Sequence, residues 1–370
     1  MKIAYYITDY GFGHATRSIA VIRRLLKQRW VTELYICTFF PLSFMRQSLA
    51  NEGAGKVYYR LVKNDIGYLL HEGSLEVDIK QLNLEYDRFV ERFPEALHEE
   101  QQFLQEKKVD LVIADIPPIP LLAARSLGIR AIGISNFTWY TAYQGLISEA
   151  KLQSLAVCYR SIDYFAALSG ANEPLWSRYS GRFDFFCRRS DESEVQRLRS
   201  RINPNEDKHI IYFGMGMKIE LADLSSLRLW ENENCVFIVS SNIQVNRPNI
   251  FHIPKDYTET QNMIAASDIV ISKAGWGMIS EAMVNNKPLI LLDRKHLNED
   301  HNTLAFLEKQ GRCMTLPWDD ICNLSIDEDL LYHLSLQIGN ESGSKKDETL
   351  HNLIDTIGNF NSIWKGSAVI

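Results

Sequence analysis

The stretch TDYGFGHATRS, residues 8–18, follows the apolar run KIAYYIT and sets His14 behind Gly11 and Gly13 at the first turn of the chain. A histidine at a helix start can do proton chemistry. The positive end of the helix lowers imidazole basicity and favours the neutral ring. A neutral ring can take a proton from a hydroxyl near neutral pH, which is general-base catalysis. A carboxylate behind the ring would orient it and stabilise the cation formed. Asp115, which closes the run DLVIAD, is the candidate for that carboxylate, and Asp9 is the weaker alternative base. Taken alone, GFGH favours a blander reading, a polar residue beside the N-cap that touches only backbone. Arg17 could meet a phosphate, although an exposed helix arginine is the commoner case.

A second chemical stretch is SDIVISKAGWGMISEAM. A strand ends at Ser272, the residues Lys273, Ala274, Gly275, Trp276 and Gly277 form a turn, and a helix follows. Small residues let backbone approach a ligand, and the N–H groups at a helix start suit a diphosphate. Glu281, one turn along, could accept hydrogen bonds from ribose hydroxyls; alternatively it is a surface charge on an ordinary strand-to-helix turn. Downstream, LLDRKHLNEDHN crowds Asn298, Glu299, Asp300 and Asn302 at another strand end. Amides and carboxylates so placed could read sugar hydroxyls, or Asn298 could simply cap a solvated helix.

These residues need elements to hold them. The chain has 370 residues, 46% hydrophobic and 23% charged, with a formal net charge of -6. That length suits two domains of ordinary size, and the charge argues against nucleic acid as a partner. The first residues are too short and polar-ended for a secretory leader, and no apolar run is long enough to span a bilayer. The cysteines are scattered without a CxxC pair, which suggests reduced thiols in a cytoplasmic protein. No metal-site spacing occurs. Asp327–Asp329, DED, fits a DxD metal pattern, but it opens a helix and reads as a capping run; no metal is expected.

Strand-like runs alternate with helical ones. KIAYYIT, VTELYICT, VDLVIAD and IRAIGIS read as strands, and HATRSIAVIRRLLKQ places Ile19, Ile22, Leu25 and Leu26 at helical spacing. One long helix is expected between Gln81 and Lys107. Strand signals fade from Gly170 to Asp207, then resume with HIIYFGMG, CVFIVSS, NIFHIPK, DIVIS and PLILLD. Such βαβ succession implies parallel sheets covered by helices. The fold class is therefore α/β, two doubly wound Rossmann-like domains facing a cleft. The expected boundaries are 1–170 for an acceptor-side domain, 171–207 for the connection, 208–345 for a donor-binding domain, and 346–370 for a C-terminal helix that packs back on the first domain. In open parallel sheets ligands bind beyond the C-terminal strand ends, where both chemical stretches fall.

ISKAGWGMISEAMVNNKPLILLD followed by NEDHN resembles the donor-binding segment of GT-B glycosyltransferases, both the family 28 branch and the plant-type UDP-glycosyltransferase branch. The chain also resembles the glycosyltransferase-like N-terminal domain of plant arabinokinases, where a similar GFGHATR opens the sequence; no kinase domain like theirs is expected here. The resemblance implies a nucleotide-diphosphate sugar, UDP-linked as is usual in the family, as co-substrate with no cofactor. It implies a ribose role for Glu281, a diphosphate turn at Gly275–Gly277, and base contacts through Lys255 and Asp256 in HIPKDY. FGMGMK resembles the glycine turn under the phosphates, with Gly214 and Gly216 at its core; Gly11 and Gly13 join the donor-binding set. Many plant-type relatives carry a histidine just before the diphosphate turn. Here Ser272 and Lys273 stand instead, and Lys273 could supply charge to the phosphates. In those relatives an aspartate at a similar strand end partners the N-terminal histidine, which points to Asp115.

In SNFTWYTAY, Trp139, Tyr140 and Tyr143 could stack on an acceptor or pack at a domain edge, and Thr138 joins Trp139 and Tyr140 in the acceptor-binding set. The expected function is a metal-independent inverting hexosyltransferase, with His14 as base and the acceptor unknown. Peripheral membrane contact enters only if the acceptor is a lipid. A nucleotide-sugar hydrolase and a non-catalytic sugar-nucleotide-binding module are the alternatives. A dinucleotide oxidoreductase is disfavoured because no GxGxxG follows the first strand.

Overall fold

In the computed structural model of this chain, all residues are described except 73, 75, 217–223, 295–296, 340–344 and 366–370. The end of the expected phosphate loop at residues 217–218 and part of the 293–302 loop therefore lie outside the described residues.

The chain divides into two compact units, residues 1–69, 77–184 and 344–370 in the first, and 70–76 with 185–343 in the second. The first unit runs β1 (Lys2–Ile7), α1 (Phe12–Leu26), β2 (Glu33–Thr38), α2 (Leu42–Ser48), β3 (Val57–Leu61), α3 (Ile79–Glu91), α4 (Phe93–Lys107), β4 (Leu111–Asp115), α5 (Ile119–Ser126), β5 (Arg130–Ser135), α6 (Trp139–Ala142), α7 (Glu149–Tyr159), β6 (Tyr164–Leu168) and β7 (Tyr179–Phe183). The second runs α8 (Glu192–Ile202), β8 (His209–Gly214), β9 (Cys235–Val239), β10 (Ile250–His252), α9 (Gln261–Ala266), β11 (Ile269–Lys273), α10 (Trp276–Val284), β12 (Leu289–Leu292), α11 (Asn298–Glu308), β13 (Met314–Leu316), α12 (Trp318–Cys322) and α13 (Glu328–Ser335). Finally α14 (Lys345–Lys365) returns to the first unit, where it packs on α1.

The first sheet has seven strands in the order β3-β2-β1-β4-β5-β6-β7, the second six in the order β10-β9-β8-β11-β12-β13. Each pairing is parallel. Strands buried on both faces need continuous apolar runs, and LVIAD, CVFIV and LILL are fully buried. In each sheet the strand order reverses once, between β1 and β4 and between β8 and β11. Those are the topological switch points, where loops leave in opposite directions and open a crevice beyond the strand ends. The helix α1 buries Ile19, Ile22, Leu25 and Leu26 on one face, each contributing about 1.5–3 kcal/mol of transfer free energy.

Local readings from sequence need correction in places. The expected single helix from Gln81 to Lys107 is two helices, broken at Arg92. Pro94 lacks an N–H and crowds the carbonyl four residues earlier, and the Arg92 N–H turns back to Arg88 and Val90 instead. The stretch 170–207, where strand signals fade, contains β7. As an edge strand it is exposed or half-buried throughout, so it carries no apolar signature. Asp327 caps α13 by accepting from Leu330 N at 2.9 Å, as the capping reading of DED requires. Among the described residues no cluster of metal-ligating side chains occurs and no helix is long and apolar enough to cross a membrane. The cysteines are free thiols.

Candidate functional site

At the β1–β4 switch point the first turn is shaped by Gly11, the N-cap of α1, held at φ 81°. This left-handed region costs a glycine little. Three residues on, His14 lies almost wholly buried, its Nδ1 3.0 Å from Asp115 Oδ1. Asp115 is fully buried at the last position of β4, alongside Ile7 of β1. With Nδ1 on the carboxylate, the imidazole lone pair belongs to Nε2, the tautomer a general base requires.

Arg17 corrects its sequence reading. It is neither exposed nor aimed at solvent, but is 3% exposed and grips Asp115 with both arms of its guanidinium. Nε donates to Oδ2 at 2.7 Å and Nη2 to Oδ1, while Ser18 Oγ donates to Oδ2 at 3.0 Å. Asn136 Oδ1 accepts from Arg17 Nη1 at 2.6 Å and Ser135 Oγ from Nη2 at 3.3 Å. Burial alone would raise the Asp115 carboxyl. The adjoining guanidinium, with a smaller contribution from His14, outweighs it and holds the group at about 2. The next residue, Ile116, sits at φ 82°, a region a β-branched side chain rarely visits. Tyr159 donates its hydroxyl to the Ile116 carbonyl at 2.9 Å.

Asp9, the alternative base, is a structural hub: it accepts backbone N–H bonds from Phe39 at 2.7 Å, Phe40 at 3.2 Å and Asn64 at 2.8 Å. Behind it lies Asp65, missed in the sequence, which accepts from Asp9 N at 3.2 Å and Trp139 Nε1 at 3.0 Å. Burial, then the neighbouring Asp9, pushes the Asp65 carboxyl up to about 7.

The aromatic stretch is chiefly packing. Trp139 is 1% exposed, stacked on Tyr143 and edge-on to Tyr10, Tyr68 and Phe137, so the expected stacking surface for an acceptor is turned inward. Thr138 donates its backbone N–H at 3.0 Å and its hydroxyl at 2.7 Å to Glu173. That glutamate also receives Trp176 Nε1 at 2.7 Å and the Thr141 hydroxyl. Burial pushes the Glu173 carboxyl up to about 7, against the pull of these donors. Tyr140 is half-buried with its ring edge-on to Trp176. Gly13 is exposed in the first turn of α1.

The β8–β11 switch point is furnished differently. Gly214 ends β8 opposite Ser272 of β11, and Ser272 Oγ donates to the Gly214 carbonyl at 2.8 Å. Ser272 is thus a buried strand tie rather than a ligand group. Gly216 sits at φ 89°, and a Cβ there would stand 3.0 Å from Lys273 Cε. The lysine stem therefore lies over the Gly216 backbone and within van der Waals range of Gly275. Gly275 is the N-cap of α10 and brings no side-chain cap. A helix start and a lysine stem meet here, a combination that suits a phosphate, while the Gly275 N–H itself turns back to the Lys273 carbonyl at 2.8 Å. Ala274 and Trp276 are buried, Trp276 against Phe185 and Phe186, so the indole belongs to the core and only its backbone faces the turn. Gly277 is buried in the same first turn.

Glu281 is buried, which overturns the surface-charge alternative. Its Oε1 accepts from Arg188 Nη2 at 2.9 Å. Burial raises its carboxyl, and Arg188 offsets part of that rise. Arg188, missed within the charged RRSDES run, also donates to the Thr258 carbonyl at 2.6 Å and to Thr260 Oγ1 at 2.9 Å. It thereby fastens the chain just after the exposed Lys255 and Asp256 to α10. Asp300 departs from expectation. It is fully buried in a two-armed pair with Arg294, Nη2 to Oδ1 at 2.7 Å, so its oxygens hold the loop rather than read hydroxyls. Glu299 is buried beside it, and Asn298 is half-buried at the start of α11, whose N-cap is Leu297.

Residues 239–356 match the profile of the Glycosyltransferase family 28 C-terminal domain. The chain is 27% identical over 318 residues to L-arabinokinase of Arabidopsis thaliana, covering 83% of this chain and 30% of that protein. It is 42% identical over 67 residues to a UDP-N-acetylglucosamine--N-acetylmuramyl-(pentapeptide) pyrophosphoryl-undecaprenol N-acetylglucosamine transferase of Bacteroides fragilis, 17% of each chain. This chain thus spans under a third of either relative. Among solved structures, Arabidopsis thaliana UGT89C1 complexed with quercetin aligns with TM-score 0.62 at 13% identity, over 96% of this chain and 98% of that one. The glycosyltransferase SnogD from Streptomyces nogalater aligns with TM-score 0.60 at 13% identity, over 97% and 99%. Likeness at that identity speaks to the fold alone.

Proposed function

We propose that this chain, which has the GT-B fold expected from its sequence and a Glycosyltransferase family 28 C-terminal domain, transfers a sugar from a nucleotide diphosphate to an acceptor hydroxyl with inversion. The observation that carries the reading is the His14–Asp115 hydrogen bond at the β1–β4 switch point. His14 Nε2 takes the proton of the acceptor hydroxyl. The oxygen attacks the anomeric carbon as the bond to the diphosphate breaks, and Asp115 stabilises the imidazolium that forms. The leaving diphosphate is held by backbone N–H groups around Gly275 and by Lys273, preorganised donors at a site of developing charge. Glu281 meets the ribose through its carboxylate, with Arg188 fixing its orientation. The base is uracil, held near Lys255 and Asp256. No cofactor and no metal enters these steps.

Binding without turnover, a sugar-nucleotide-binding module, is the second reading. What favours it is that Trp139, Thr138 and Asp300 spend their polar groups on the protein itself. A thermal-shift screen of nucleotides and nucleotide-sugars separates donor binding from its absence, because a bound ligand raises the melting temperature by mass action. A rise with UDP or UDP-sugars above other nucleotides is expected; indifference to every nucleotide overturns both readings. Release of UDP from a UDP-sugar, tested with pooled acceptor alcohols, then separates transfer from binding alone.

A further inference from the structure

We propose that Arg17 is a positioning residue that keeps His14 neutral, and so able to accept a proton, by sharing the carboxylate on which His14 leans. The inference deepens the reading of His14 as a base and rests on it. In GFGHATR the two residues stand three apart on α1, hence on one face of the helix, and both reach the last residue of β4. Asp115 Oδ1 receives His14 Nδ1 and Arg17 Nη2 together. A buried carboxylate alone beside an imidazole draws a proton onto the ring, because the opposite charge favours the cation. Here that carboxylate is already neutralised by a guanidinium that never loses its proton. The guanidinium is also a like charge at close range to any imidazolium, which disfavours the cation directly.

Among the described residues, the groups bonded to Asp115 and to Arg17 beside it are uncharged. From β1, Tyr5 faces Asp115 and Arg17, and burial keeps its hydroxyl protonated. From the end of β5, Ser135 and Asn136 are uncharged and take the remaining Arg17 N–H groups. Ser18 contributes a hydroxyl, and the Phe137 ring stands edge-on to the imidazole at 5.6 Å. Arg17 is itself buried behind the dyad, so it acts through Asp115 rather than on substrate.

The test is the proton-NMR titration of the His14 ring in the ligand-free full chain, assigned with His14→Gln among the nine histidines. In Arg17→Gln, which keeps a donor but loses the charge, His14 should bind its proton about tenfold more tightly than in the wild type. Arg17→Lys, which keeps the charge, should stay within about threefold. A His14 midpoint in Arg17→Gln equal to the wild type overturns the proposal. Should Arg17→Gln fail to fold, Asp115→Asn and the double variant Arg17→Gln/Asp115→Asn carry the comparison. With the carboxylate gone, Arg17 must depress the His14 midpoint and its removal must restore it; identical midpoints in the two overturn the idea. The titration needs neither donor nor acceptor. A chain that transfers no sugar but shows these shifts loses the proposed function and keeps the role of Arg17.

Discussion

The two switch points share a topology and are furnished in opposite ways. At β1–β4 the crevice is lined by side chains, a histidine, an aspartate and an arginine locked together below the surface. At β8–β11 it is lined by backbone, with Gly216 and Gly275 under a single lysine stem. Proton transfer needs a ring held at one angle and one tautomer, which burial and a rigid clamp supply. Gripping a phosphate needs many weak donors at close approach, which only small residues permit. Near the second crevice the charged side chains are paired: Arg294–Asp300 holds its loop, and Arg188 fixes one oxygen of Glu281.

The comparison can be broken most sharply at His14. His14→Ala should lower UDP-sugar turnover about 10²–10⁴-fold, while UDP affinity measured by calorimetry stays within about twofold. An equal loss of both would place the histidine in binding instead. Next in size, Arg188→Met should destabilise the second unit by about 3–5 kcal/mol, read from denaturant midpoints, because it strands Glu281 as a buried unpaired carboxylate. The double change with Glu281→Gln should recover most of that loss. Lys273→Ala should weaken UDP binding about tenfold or more, in keeping with one charge-assisted contact, with the melting temperature of the free protein unmoved.

The smallest effect concerns pH. The folded Asp65 carboxyl, at about 7, lies above its unfolded value near 4. Its contribution to stability is therefore complete below about pH 4 and lost as pH rises through about 7. Asp115 has the opposite sign: its contribution is present above about pH 4 and lost as pH falls through about 2. Asp65→Asn should flatten the decline between pH 4 and 7 in hydrogen exchange of the first unit; an unchanged slope would remove Asp65 from the account.

Much of this architecture is legible in the sequence because parallel strands buried on both faces must be written as apolar runs, and because glycines at strand ends mark where a chain turns sharply. The pairing of His14 with Asp115 is legible through the resemblance of GFGHATR and DLVIAD to a known family, because the start of α1 and the end of β4 meet at one switch point. The arginines were not. Arg17 and Arg188 find their carboxylates 98 and 93 residues away, and local pattern carries no trace of such partners. Trp139 is left open between packing and stacking for the same reason: its indole partner, Asp65, is 74 residues distant, and only the fold decides for the core. The edge strand β7 has no buried face to write into its sequence.

Ile116, bent into a left-handed turn directly after Asp115, has a bearing on engineering. Its side chain lies in the buried core, so glycine there would relieve about 1–2 kcal/mol of backbone crowding and forfeit about 2–5 kcal/mol of packing. A heat-selected library is therefore held away from that codon. The strain stays locked in, and with it the angle at which the carboxylate is offered to its neighbours.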